Sequence, residues 1–115
     1  MSEADQLAVL DQFNQAWNEH DLEAALALVT DDCAFDSTAP LPDGERFEGK
    51  AAIRAAWKPV FDNPHSHFEI EEVFAAGDRA VQRWRYFWGS GHVRGVDLLR
   101  FRDGKIAEKL SYVKG

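Results

Sequence analysis

The spacing of apolar positions changes halfway along the chain. In the first half they recur at three- and four-residue steps, and beyond residue 66 they tend to alternate. Leu7, Leu10, Phe13 and Trp17 fall on one face of a first helix. Ser2 with Asp5 three residues later resembles a capping box at its start. The polar break "NEHD" ends this helix, and Asp21 can cap a second one whose buried stripe is Leu22, Ala25, Leu26 and Val29. Pro40, Pro42 and Gly44 punctuate the next stretch, which predicts a short strand near 33–38, a loop and a brief strand near 45–48. "KAAIRAAWKPVF" predicts a third helix carrying Ile53, Trp57 and Phe61, with Pro59 kinking or shortening its end.

In the second half, "SHFEIEEVFAAG" alternates Phe68, Ile70 and, after a one-residue slip, Val73. "RAVQRWRYFW" and "HVRGVDLLRFR" flank the turn "GSG", and Asp103-Gly104 makes the tight turn before "KIAEKLSYV". Helices first and an antiparallel meander after them predict an α+β domain, with three N-terminal helices packed on one face of a curved, mainly antiparallel sheet. At 115 residues, with no internal repeat or linker, residues 1–115 read as one domain.

Asp97 interrupts this pattern, since it lies between Val96, Leu98 and Leu99 in the most apolar strand. A hairpin symmetric about Ser90 sets Asp97 opposite Arg83 and projects both from one face, with Val81, Arg85, Val93, Leu99 and Phe101. A one-residue shift in that turn separates the pair and swaps the faces of one strand. If Leu99 and Phe101 are core, Asp97 is on the helix-covered side and needs a partner, because an isolated buried charge is very costly. Two readings stay open: a structural Asp97–Arg83 ion pair, or a pocket acid tuned by Arg83.

Composition narrows the candidates. The net charge of −7 gives nucleic acid and anionic membranes no surface to be drawn to. The lone Cys33 leaves no internal disulfide, and no Cys/His cluster has zinc spacing; His65 and His67 lack a third ligand nearby. The opening residues read as a helix start rather than a leader, and the expectation is a cytoplasmic chain without a membrane span. Four Trp and eight Phe in so short a chain point to a core or pocket lined with rings.

The layout and three strings resemble the nuclear transport factor 2-like superfamily, in its SnoaL-like polyketide cyclase branch. The strings are "WNEHDLEAALALVTDDCAF", "FEGKAAIRAAW" and "GVDLLRFRDGKIAEKLSYV". The resemblance implies a cone-shaped fold, in which a strongly bent sheet wraps around helices and encloses a pocket. It also implies a homodimer through the sheet, and a face bearing Trp84, Tyr86 and Trp88 would suit that contact. In the family's cyclases an Asp in the string before "DGKI" is the general acid/base; Asp97 matches it, and the companion His falls on Arg83. Ketosteroid isomerases carry a protonated Asp at the same place. There the hydrogen-bonding Tyr of the first helix falls on Phe13, and the catalytic base falls on or beside Ser37, with Asp36 one residue out of register. In limonene-epoxide hydrolases the Arg-x-Asp element falls on residues 83–85, "RWR", and the final-strand Asp on Ser111.

The resemblance thus implies acid–base chemistry on a small hydrophobic carbonyl compound (isomerisation, cyclisation or dehydration) with no cofactor and no metal. Asp97 would be the acid/base, and Arg83 would tune it or hold a developing oxyanion. Phe13, Trp17, Trp57, Phe61, Leu99 and Tyr112 are the expected substrate contacts. The competing expectation is a non-catalytic ligand-binding or structural dimeric domain in which Asp97 and Arg83 form an ion pair.

Overall fold

The computed structural model describes residues 2–115. Its elements are α1 (Glu3–Asn18), α2 (Leu22–Ala27), β1 (Val29–Asp36), β2 (Arg46–Glu48), α3 (Lys50–Asp62), β3 (His67–Ala76), β4 (Arg79–Phe87), β5 (His92–Arg102) and β6 (Lys105–Val113). The six strands form one sheet in the order β2-β1-β6-β5-β4-β3. β1 and β6 run parallel, and the other neighbours are antiparallel. This is the α+β class expected, with the helices against one face of the sheet.

Both helix starts follow from the sequence. Ser2 Oγ accepts from the Asp5 backbone N–H (3.1 Å), and the Asp5 carboxylate accepts from the Ser2 N–H (3.0 Å), closing the capping box. Asp21 accepts from the Ala24 N–H (3.0 Å) and starts α2. That helix is shorter than its stripe suggested, because Val29 already pairs with Ile106 as the first residue of β1. Tertiary strand pairing overrides a two-turn helix that is too short to hold itself. α3 continues through Pro59 to Asp62, since its buried Ile53, Trp57 and Phe61 anchor it on both sides of the proline.

The core is a cluster of rings. Trp17 lies 5.0 Å from Trp57, 4.4 Å from Phe61, 5.5 Å from Phe68 and 6.0 Å from Phe13, centroid to centroid. Such pairs each add about 0.5–1.5 kcal/mol beyond their buried area. Leu99 and Phe101 are buried core, as expected. Gly95 lets the Trp84 indole cross β5, for a Cβ there would overlap that ring and the Tyr112 carbonyl oxygen.

A turn and two bulges set the register, and the β4–β5 pairing differs from the one expected. The β4–β5 turn takes four residues, Trp88–Gly91, so Phe87 pairs with His92 and Asp97 sits opposite Gln82. Arg83 therefore projects to the other face, where it meets Glu72 (3.2 Å) half-exposed. The same shift brings Trp84 and Tyr86 to the helix side, against Phe68. The exposed aromatic stripe of Trp84, Tyr86 and Trp88 is thus absent from the outer face; Trp84 is buried, and only Trp88 at the strand end is exposed. In β3, a bulge between Ile70 and Glu72 supplies the anticipated slip before Val73. In β6, Phe101 faces Ile106 and Arg100 faces Glu108, which leaves Ala107 as an extra residue. Beyond this bulge Lys109 and Ser111 point inward and are buried, while Tyr112 is exposed on the other side.

Two measurements test this packing. Gly95→Ala should lower stability by about 1–3 kcal/mol in urea unfolding, as the added methyl drives the Trp84 ring off β5. Burial pushes the Cys33 thiol up to about 11, against roughly 8.5 for an unfolded cysteine. Between these values the unfolded chain gives up a proton that the folded chain keeps, so stability contributed below about pH 8.5 is lost as pH rises toward 11. Cys33→Ala should flatten that part of the stability–pH curve, and the native thiol should resist a disulfide reagent at pH 8.

Candidate functional site

Three buried polar groups lie along one row of the sheet. Gln82 on β4, Asp97 on β5 and Ser111 on β6 are direct cross-strand partners, with Asn14 of α1 above Gln82. Asn14 and Gln82 exchange two amide hydrogen bonds (2.8 and 3.2 Å). Gln82 Nε2 also donates to Asp97 Oδ2 (3.0 Å), and Ser111 Oγ donates to Asp97 Oδ1 (2.7 Å). Lys109 Nζ donates to Ser111 Oγ (2.9 Å) and lies 3.5 Å from Asp97 Oδ1. Every contact to Asp97 comes from a donor, the pattern of an ionised carboxylate. At 2% exposure, Asp97 is sequestered as the sequence suggested, but its cationic partner is Lys109 and not Arg83.

Lys109 separates this row from an aromatic hollow of about 300 Å³ lined by Trp17, Phe35, Trp57, Phe68, Trp84 and Tyr86, among others. Its Nζ sits 4.9 Å from the Phe35 ring centroid and 5.6 Å from that of Trp17, so the ammonium also draws on the ring faces. Ser111 lines the hollow beside it, whereas Asp97 does not; Asp97 borders a void of about 20 Å³ shared with Phe13, Asn14 and Gln82. The outer rim includes Ser37, Thr38 and Val113. Ser37 Oγ is already committed, donating to the Ala39 carbonyl (2.7 Å) and accepting from the Glu45 N–H (3.0 Å). Tyr86 shares a hydrogen bond with Ser66 (3.0 Å).

Of the expected substrate contacts, Trp17 and Trp57 line the hollow, and Phe13 reaches only the small void. Phe61 and Leu99 are core without a place on the wall, and Tyr112 is on the far face of the sheet. Asp36 sits in a half-exposed ion pair with Arg46 (3.1 Å). His20 occupies the α1–α2 turn with positive φ and bonds the Ser66 carbonyl (2.8 Å). Among the described residues, no group of three or more His, Cys, Asp or Glu is placed to hold a metal ion, and no helix is long and apolar enough to cross a membrane. The groups missed from sequence are Asn14, Gln82 and Lys109; Ser111 entered only as the place of the hydrolases' final-strand Asp. A signal existed in "AEKLS", where a lysine and a serine are spaced to share a face, but only the Ala107 bulge decides which face.

A larger groove of about 460 Å³ runs between α1 and β3, lined by Leu7, Ile70 and Val73 together with Asp11, Gln15, Asn18 and Glu19, and it holds no cationic side chain. Asn18 is spent there on both backbone groups of Phe68 (2.8 and 2.9 Å). The aromatic hollow is the better candidate, because a cation backed by a buried carboxylate can act on whatever enters it.

The pair makes a stability prediction of its own. Asp97→Asn should cost about 3–5 kcal/mol in urea unfolding, since it strands a buried ammonium. Adding Lys109→Met should restore most of that loss.

Comparison with known proteins agrees with this architecture. A family model described as "SnoaL-like domain" matches residues 10–109. A solved NTF2-like protein of unknown function from Mesorhizobium loti is 39% identical, with a TM-score of 0.89 over 98% of this chain and 93% of its own. A SnoaL-like protein of unknown function from Burkholderia thailandensis shares the fold at 24% identity, with a TM-score of 0.84 over 100% of this chain and 99% of its own. Among curated proteins, none matches. With a hundred-residue match to the family model and a solved relative sharing the same sheet and helices, the chain belongs to the SnoaL-like family, within the NTF2-like fold.

Proposed function

We propose that this chain binds a small hydrophobic carbonyl compound and polarises its carbonyl group with the Lys109 ammonium, promoting isomerisation or cyclisation without a cofactor. The observation that carries this is the position of Lys109 Nζ: on the wall of an aromatic hollow, with Ser111 beside it and Asp97 behind. The helices and curved sheet act as a cone whose open end, near Ser37 and Thr38, admits the ligand.

The chemistry follows from where charge develops. A carbonyl oxygen against Lys109 accepts an N–H, and negative charge gathers on that oxygen as an enolate or alkoxide forms. Among rings and away from water, a fixed cation stabilises this charge more than solvent could. Asp97 holds the ammonium in place and is a positioning residue, since Lys109 and Ser111 lie between it and the hollow. The wall carries no carboxylate or imidazole among its lining residues. The α-proton must then pass to water at the mouth of the hollow, so the substrates that fit are those whose C–H is already acidic, such as 1,3-dicarbonyl compounds, which need oxyanion stabilisation more than a strong base. That same absence favours a second reading, in which the hollow binds a ligand without transforming it.

A thermal-shift panel of aromatic and alicyclic ketones should raise the melting temperature of the wild-type protein, because a ligand that binds only the folded state stabilises it. For a compound that turns over, Lys109→Met should lower kcat about 100-fold with folding verified by circular dichroism. Ketones that bind and are never converted would favour the second reading. Turnover unaffected by Lys109→Met would refute the first.

A further inference from the structure

The larger groove, between α1 and β3, has one polar wall and one apolar wall. On α1, Leu7, Asp11, Asn14 and Asn18 follow one another at four-, three- and four-residue steps, which sets them on a single stripe. The two asparagines show where that stripe points. Asn14 bonds Gln82 of β4, and Asn18 bonds both backbone groups of Phe68 at the sheet edge. Asp11 shares the stripe, so its carboxylate borders the groove, where its one partner among the described residues is the Gln15 amide at 3.3 Å. The β3 wall is bare: Ile70 and Val73 line it at 37% and 42% exposure. No cation answers the negative charge. α1 carries Glu3, Asp5 and Asp11, β3 carries Glu69, Glu71 and Glu72, and neither element holds a lysine or an arginine. The arginines that do reach β3 carboxylates, Arg83 and Arg94, meet them on the outer face of the sheet.

An open apolar surface beside unmatched negative charge favours an amphiphile whose charged end is positive. The sheet edge adds an acceptor. Asn18 takes the outward backbone groups of Phe68, and Ile70, two residues on, turns its carbonyl to the same edge. An ammonium has three donors and no acceptor, so a carboxylate and a carbonyl on two sides of one groove suit it better than they suit a second carboxylate. An added β-strand is a poor occupant, because Asn18 blocks the edge at Phe68 and the bulge between Ile70 and Glu72 breaks the ladder beyond it. At about 460 Å³ the groove is within the range of small-molecule sites. We propose that the groove between α1 and β3 is a second ligand site, which takes a hydrophobic amine with its apolar body against Ile70 and Val73 and its protonated nitrogen at Asp11. This goes beyond the carbonyl reading of the Lys109 hollow and does not rest on it; the two cavities share only Phe68 in their linings.

Three phenyl-ended chains test the site by methyl NMR titration of the intact protein at pH 7: 4-phenylbutylamine, 4-phenylbutanol and 4-phenylbutanoate. The chain has three isoleucines, and Ile53 and Ile106 are fully buried, so the δ1-methyl spectrum offers one reporter at the groove, assigned with Ile70→Val. The amine should move the Ile70 and Val73 methyl signals and leave those of Val93 and Val113, which line the hollow, in place. It should bind about threefold or more tighter than the alcohol, the size of effect expected from an exposed ion pair, with the acid weakest. Raising salt from roughly 0.02 to 0.5 M should erase most of that advantage. Asp11→Asn combined with Glu19→Gln, both exposed and outside the Lys109 site, should erase it at low salt. An alcohol that binds as tightly as the amine would overturn the proposal, and so would an advantage that survives salt or the double variant. Shifts at Val93 and Val113 in place of Ile70, or no binding of the amine, would overturn it too. Failure at Ile70 leaves the carbonyl reading to be decided by the ketone panel alone.

Discussion

A carboxylate has been taken out of water, and much of the molecule is arranged to make that tolerable. Asp97 lies mid-strand among apolar neighbours at 2% exposure. Burying such a charge without partners would cost more than the stability of a domain this size. Three strands meet the demand with one residue each: Gln82, Asp97 itself and Ser111 form a row across the sheet, and Lys109 closes it. Asn14 ties α1 to the end of that row through Gln82. The polar row therefore fixes how the first helix sits on the sheet as well as how the cation faces the hollow.

The apolar side of the site is inseparable from the core. Trp17 and Trp57 pack against each other and against Phe13, Phe35 and Phe61, and Trp17, Trp57 and Phe35 also line the hollow. Shape in the hollow is thus set by contacts that also stabilise the fold, so its lining cannot be altered at little structural cost. The polar side is more independent: Lys109 and Ser111 reach the wall from β6, and exchanging them need not move a ring.

Much of the fold was legible because the signals were local. The capping box at Ser2, the Asp21 cap, the Trp57 stripe of α3 and the Asp103-Gly104 turn each depend on a few neighbouring residues. Of the site, Asp97, whose burial follows from its strand, and the rings Trp17 and Trp57 were legible. The partners of Asp97 depend on parity, and parity is set by single residues in turns and bulges. "GSG" looks like a three-residue turn, yet Trp88 joins it, and that one step exchanges Arg83 for Gln82 as the neighbour of Asp97 and sends Trp84 and Tyr86 inside. Lys109 was hidden for the same reason. An unbroken alternation from Ile106 would turn Glu108, Leu110 and Tyr112 inward.

The extra residue Ala107 gives this scaffold a ratchet. A strand has two sides, and a single added or deleted position upstream chooses which side's chemistry is presented to the chamber. Removing Ala107 from the register would exchange a cation and a hydroxyl for an acid, a leucine and a phenol, with no change in any of those side chains. A lineage built on this sheet can therefore trade an electrophilic wall for an acidic one by an insertion or deletion of one codon, a route to new reactivity that comparing residue identities column by column would not reveal.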